Sequence, residues 1–119
     1  MSNILIIDDD EDMLALTGRW LEKGGYAVMK ASSGKEALAM ITDNKPDIIL
    51  LDYAMPEMDG PAVLKAIRAG EATKDIPVLF RTGMDDMDSG EDEDAKPDGF
   101  VAKSDGRPAL MKAVENILA

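Results

Sequence analysis

Three aspartates have the type and position to do metal chemistry. Five acids stand in a row from Asp8 to Asp12, directly after the Ile-rich run Asn3 to Ile7, and Asp52 directly follows Ile48-Ile49-Leu50-Leu51. A short aliphatic run that ends abruptly on acids reads as a strand covered on both faces that emerges at a polar edge. With the two strands as neighbours, Asp8, Asp9 and Asp52 share one end of a sheet. Like charges that close raise one another's pKa and destabilise the fold unless a cation sits among them, and hard oxygen ligands suit magnesium. The competing reading, for any one acid of the run, is a cap that favours the dipole of the helix that follows. The chain has no Cys and no His. Disulfides, Cys-ligated zinc, cysteine nucleophiles and the usual general base are therefore excluded. Any catalysis must rest on carboxylates, Lys, Thr or Ser.

The elements that must position these acids follow from the apolar pattern. Asn3 to Ile7 is a first strand, Tyr26 to Ala31 a second, Ile48 to Leu51 a third, Pro77 to Phe80 a fourth and Gly99 to Ala102 a fifth. Between the first two, Met13, Leu14, Leu16, Trp20 and Leu21 recur at helical spacing until Gly24-Gly25 stops them. Ser33-x-x-Glu36 has capping-box spacing, and Ala37, Leu38, Met40 and Ile41 form the apolar face behind it, up to Pro46-Asp47. Gly60-Pro61 opens a helix with Val63, Leu64 and Ile67 facing inward, and Pro108 starts a last one with Leu110, Met111, Val114, Ile117 and Leu118. Alternating strands and helices predict an α/β fold: a doubly wound, five-stranded parallel sheet in the order 2-1-3-4-5 with helices on both faces. In such sheets functional groups gather outside the carboxyl ends of the strands, where the winding direction reverses. That is where Asp8, Asp9 and Asp52 end.

At 119 residues with 45% hydrophobic and 31% charged residues, the chain fits a single globular domain spanning 1–119. The net charge of -11 would repel a phosphate backbone, so no nucleic-acid partner is expected. The longest uncharged run is the seven residues Met1 to Ile7, far short of the roughly 18 apolar residues of a membrane span. A soluble, cytoplasmic protein without membrane contact is expected. The acidity is local. Asp8 to Asp12 carries -5 and the stretch from Met84 to Asp98 carries -7, which leaves the rest of the chain at +1. Alternation calls for a helix between the fourth and fifth strands, yet 84–98 holds only Met84 and Met87 near its start, one alanine, a glycine and a proline. It cannot bury a helical face, so that helix is expected to be short or absent and the stretch an irregular loop.

The strings Ile4-Leu5-Ile6-Ile7-Asp8-Asp9-Asp10, Pro46-Asp47-Ile48-Ile49-Leu50-Leu51-Asp52-Tyr53-Ala54-Met55-Pro56, Met58-Asp59-Gly60, Pro77-Val78-Leu79-Phe80-Arg81-Thr82-Gly83 and Gly99-Phe100-Val101-Ala102-Lys103 resemble, in order and spacing, the receiver domain of two-component response regulators. The resemblance implies a flavodoxin-like fold in which Asp52 takes a phosphoryl group from a phosphohistidine on a sensor histidine kinase or phosphotransfer protein. It implies that Asp9 binds Mg2+ directly, that Asp8 does so directly or through water, that Asp52 shares the ion, and that the backbone carbonyl of Ala54 completes the protein ligands. Phosphoryl transfer needs in-line positioning and charge neutralisation more than covalent work by the protein. Lys103 would contact one phosphoryl oxygen and Thr82 would hydrogen-bond another. Taken alone, Thr82 is an ordinary strand-end hydroxyl and Lys103 a solvated lysine; their shared edge with the acids gives them roles. The resemblance further implies that Thr82 moves toward the phosphate and that Phe100, at the switch aromatic position, swings inward behind it; the plain alternative for Phe100 is a core aromatic. A chain without histidine must receive its phosphoryl group from another molecule.

Three departures from the pattern stand out. Ser104 replaces the proline usual after the lysine, so the following loop either takes a trans path or carries the strain of a non-proline cis bond. Arg81 is bulky and charged where small or apolar residues are common, and is long enough that it could reach an acid of the 84–98 segment. That acidic segment stands where the family's output face lies, which implies an atypical output through a loop that orders on phosphorylation or on meeting a basic partner. Slow or unexceptional self-dephosphorylation and a monomer or weak dimer are expected. The competing functions are a phosphorylation-independent pseudo-receiver that binds a partner, a small-phosphate-ester hydrolase with Asp52 as nucleophile, and a calcium module. An EF-hand register on Gly90 puts Met87 and Lys96 at ligand positions and fails.

Overall fold

The computed structural model describes residues 2–53, 55, 59–82 and 97–118. Its elements run β1 (Asn3–Ile7), α1 (Glu11–Lys23), β2 (Ala27–Ala31), α2 (Gly34–Asp43), β3 (Ile48–Asp52), α3 (Gly60–Ala69), β4 (Val78–Thr82), β5 (Gly99–Ala102), a 3-10 turn (Lys103–Asp105) and α4 (Gly106–Leu118). The strands form one parallel sheet in the order β2-β1-β3-β4-β5. The expected short or absent helix, and the loop expected in its place, fall on 83–96, outside the described residues; Ala54 and 56–58 lie outside them too.

Side-chain alternation along the strands sorts the core into two layers. Leu5, Ile7, Ile49, Leu51, Val78 and Phe80 face α2 and α3, where Ala37, Ile41, Val63, Leu64 and Ile67 meet them. Ile4, Ile6, Ile48, Leu50, Leu79 and Val101 face α1 and α4, against Leu14, Leu21, Leu110 and Val114. Strands buried on both faces explain why β1 and β3 read as unbroken aliphatic runs rather than alternating ones.

The helix starts are set by side chains. Asp10 accepts from the amides of Asp12 and Met13 at the head of α1, and Asp59 accepts from Ala62 N–H at the head of α3. Ser33 Oγ accepts from Glu36 N–H, while Glu36 Oε1 accepts from Ser32 N–H, one residue before the expected return bond of a capping box. Two details differ from the sequence reading. Leu16 is 38% exposed, and the inner stripe of α1 is Leu14, Thr17, Gly18 and Leu21. The last helix begins at Gly106, with φ of 79° there, rather than at Pro108.

Candidate functional site

The sheet register brings the predicted acids together. Ile7 pairs with Leu51, so Asp8 and Asp52 leave β1 and β3 side by side, both buried, with exposed Asp9 beside them. One carboxylate oxygen from each of Asp8, Asp9 and Asp52 lies within 4.8 Å of the others. The acidic run thus divides by function. Asp10 caps α1 and Glu11 and Asp12 fill its first turn, while Asp8 and Asp9 turn to the cluster. Asp8 Oδ1 also accepts from Asp10 N–H at 2.9 Å, which ties the cluster to the helix cap.

Lys103 comes to the same point from the end of β5. Its Nζ lies 3.0 Å from Asp52 Oδ1 and 3.4 Å from Asp8 Oδ2. Among the described residues there is no cis peptide bond, so the chain leaves Lys103 along the trans path, into the 3-10 turn. Burial, reinforced by the charge of Asp8 and opposed by Lys103, raises the Asp52 carboxyl from 3.8 to about 7. Burial by itself pushes the Lys103 ammonium down, but the hydrogen bonds and charges of Asp52 and Asp8 outweigh it and hold it above its ordinary value. An oxygen donor set this dense, with one ammonium against three carboxylates, fits a small hard divalent cation.

Thr82 ends β4, fully buried, one residue past Arg81, the register partner of Asp52. Phe100 is 52% exposed, its ring 5.8 Å from that of Phe80, so it is not a core aromatic. Ala54 lies outside the described residues. The reach of Arg81 toward an acid of the 84–98 segment falls, apart from Asp98, on 84–96, outside the described residues. Arg81 is 2% exposed, and its Nη1 donates to Thr17 Oγ1 on α1 at 3.0 Å. A charged side chain of β4 that points to the α1 layer finds a hydroxyl there. The one described acid of the 84–98 segment, Asp98, latches β5 to β4: its Oδ2 accepts from Val78 N–H at 2.8 Å and from Arg68 Nη2 at 2.9 Å, and its own N–H donates to Val78 O at 2.7 Å.

Two contributors escaped sequence reasoning. Gly60, read only as a helix start, packs α3 onto the end of β3: a Cβ there would stand 2.7 Å from Asp52 O and 2.8 Å from Tyr53 Cα. Thr17 supports Arg81, and the signal for the pair was a polar residue in an apolar helical stripe matched to a charge in an apolar strand.

Comparison with known proteins agrees with this geometry. Residues 4–115 match the family model described as "Response regulator receiver domain". The chain is 37% identical over 118 residues to the "Transcriptional regulatory protein PrrA" of Mycobacterium bovis, covering 97% of this chain and 49% of that protein. It therefore spans about half the length of the first curated relatives it matches. It is 30% identical over 122 aligned positions to "Protein PilH" of Pseudomonas aeruginosa, covering 100% of this chain and 99% of that one. Among solved structures, a putative response regulator from Chloroflexus aurantiacus superposes with a TM-score of 0.87 at 32% identity, covering 98% of this chain and 97% of that one. The chemotaxis protein CheY4 of Vibrio cholerae gives 0.86 at 26% identity, with 98% of each chain covered. The ordered motifs, the 2-1-3-4-5 sheet and the strand-end acids have one common explanation: this chain belongs to the response regulator receiver domain family.

Proposed function

We propose that the chain is a single receiver unit over 1–119 that takes a phosphoryl group on Asp52 from a phosphohistidine of a sensor histidine kinase or phosphotransfer protein, and thereby switches its protein contacts in the cytoplasm. The observation that carries this reading is the Lys103 ammonium bridging Asp52 and Asp8 inside a three-carboxylate cluster at the sheet edge. An Asp52 carboxylate oxygen attacks phosphorus; the P–N bond breaks, its electron pair returns to the partner's imidazole, and an acyl phosphate remains on Asp52. Mg2+, when bound, supplies charge neutralisation for the transferring oxygens. Asp8, Asp9 and Asp52 would hold it, and family likeness adds the Ala54 carbonyl.

The chain's own residues do the rest. Lys103 exchanges its contact with Asp52 for a phosphoryl oxygen, a charge-assisted hydrogen bond roughly twice as strong as a neutral one. Thr82 offers a hydroxyl from the end of β4. The acyl phosphate brings about -1.5 to -2 of charge and three acceptor oxygens. Movement of Thr82 toward them opens room behind it, into which exposed Phe100 turns. Among the described residues no helix is long and apolar enough to cross a membrane.

The test is intact mass after incubation with acetyl phosphate and Mg2+, beside Asp52→Ala and a chelated control. One added phosphoryl group that disappears in both controls is expected. No addition, together with amide spectra that beryllofluoride leaves unmoved, would replace this reading with a phosphorylation-independent pseudo-receiver.

A further inference from the structure

Arg81 is a buried charge that the chemistry above does not use. Asp52 and Arg81 are direct register partners on β3 and β4, and Asp8 follows Ile7, the partner of Leu51. Side chains of register partners point to the same face of a parallel sheet, so Asp8, Asp52 and Arg81 form one row on the α1 and α4 side. Arg81 is 2% exposed; Nη1 has Thr17 Oγ1 as acceptor, while Nε and Nη2 are buried with no hydrogen-bond partner among the described residues. A guanidinium stays charged, and a buried charge with one hydrogen bond costs several kcal/mol that an apolar residue would not. Burial pushes the guanidinium below its ordinary value, and the charges of Asp8 and Asp52, which face it, oppose that push only in part.

We propose that Arg81 is a positioning residue for the acidic cluster, a fixed counter-cation that weakens divalent-cation binding at rest and favours the site once it carries an added anionic group. The second half rests on the receiver reading; the first does not. With all three carboxylates ionised, as metal binding requires, Lys103 and Arg81 leave one excess negative charge. A divalent cation makes the set positive by one, and conversion of the Asp52 carboxylate, charge -1, to an acyl phosphate of about -2 is a net change of about -1 that brings it to neutrality. With Arg81 neutralised, the metal-bound resting site is the neutral one and the phosphoryl-bearing site is negative. The guanidinium therefore shifts the balance from resting metal binding toward the anion-bearing state. Thr17 keeps the charge in place from α1 without neutralising it.

The experiment is calorimetric titration of the full chain with Mg2+ alone, then with beryllofluoride at saturating Mg2+, for wild type, Arg81→Met, Arg81→Gln and Arg81→Lys. Both neutral variants should bind Mg2+ about tenfold more tightly and beryllofluoride about tenfold more weakly, the order of magnitude of one unit charge at short range in protein. Arg81→Lys should return both affinities toward wild type. Opposite movement of the two affinities is a signature that lost packing does not give. Movement in the same direction, no movement, absence of Mg2+ binding in every variant, or loss of fold in both neutral variants overturns the proposal. A wild type that takes no phosphoryl group in the mass experiment sinks the receiver reading, while the Mg2+ titration still reports on Arg81.

Discussion

Replacing Asp52 by Asn should make the metal-free protein more stable, and by an amount that grows with pH. Asp52 is 3% exposed, and its carboxyl is raised to about 7 from 3.8, first by burial and then by Asp8, against the opposing pull of Lys103. Between those two values the folded protein holds a proton that the unfolded chain has released. Folding then takes up a proton, so stability falls as pH rises through the window and levels off above it. The slope is up to about 1.4 kcal/mol per pH unit. From pH 5 to 7 the stability of Asp52→Asn relative to wild type should therefore rise by about 2 kcal/mol, a sizeable part of the roughly 5 to 15 kcal/mol that holds a domain folded. Urea unfolding in chelator at pH 5, 6, 7 and 8, followed by far-ultraviolet circular dichroism, measures it. Saturating Mg2+ should stabilise wild type at pH 7 more than the variant, because the ion removes the cost of the charged form. Parallel pH curves for the two proteins would refute the reasoning. A difference that shrinks as pH rises would show that Lys103, not burial, governs Asp52.

Other substitutions separate the parts of the site. Asp9→Ala should weaken Mg2+ binding with little effect on stability, whereas Asp10→Ala should cost about 1 kcal/mol of stability through the lost cap and leave Mg2+ affinity near wild type; calorimetry and urea unfolding read the two. Lys103→Met should lower phosphoryl incorporation at least about tenfold by intact mass, since a preorganised donor to the transferring group is lost. Gly60→Ala should lower stability by about 2 kcal/mol in urea, because the methyl group meets the backbone of Asp52 and Tyr53 rather than a side chain that can turn away. Asp98→Ala should cost about 1 to 3 kcal/mol by leaving Val78 N–H without its carboxylate, while phosphoryl incorporation at Asp52 stays intact.

The acidic run at 8–12 shows where local reasoning stops. As a string, each of its acids could equally cap a helix or bind an ion. Asp10 is committed by its amide partners at residues 12 and 13, which are local. Asp8 and Asp9 are committed by Asp52, more than forty positions away, through the β1–β3 register. Phe100 depends on the same kind of information, for its exposure reflects which layer covers its face at the sheet edge rather than its own apolar character.

Composition, period and punctuation sufficed for the alternating α/β order, the five strands, the cap at Ser33 and the strand-end acids, because each depends on neighbours within a few residues along the chain. Tertiary structure alone decided that Arg81 turns to Thr17, that Asp98 joins β5 to β4, that Gly60 must be small, and that burial sets the carboxyl of Asp52 apart. The physical reason is common to all four. Burial and electrostatic partners belong to groups brought together across the sheet, and a sequence lists those groups without the distances between them.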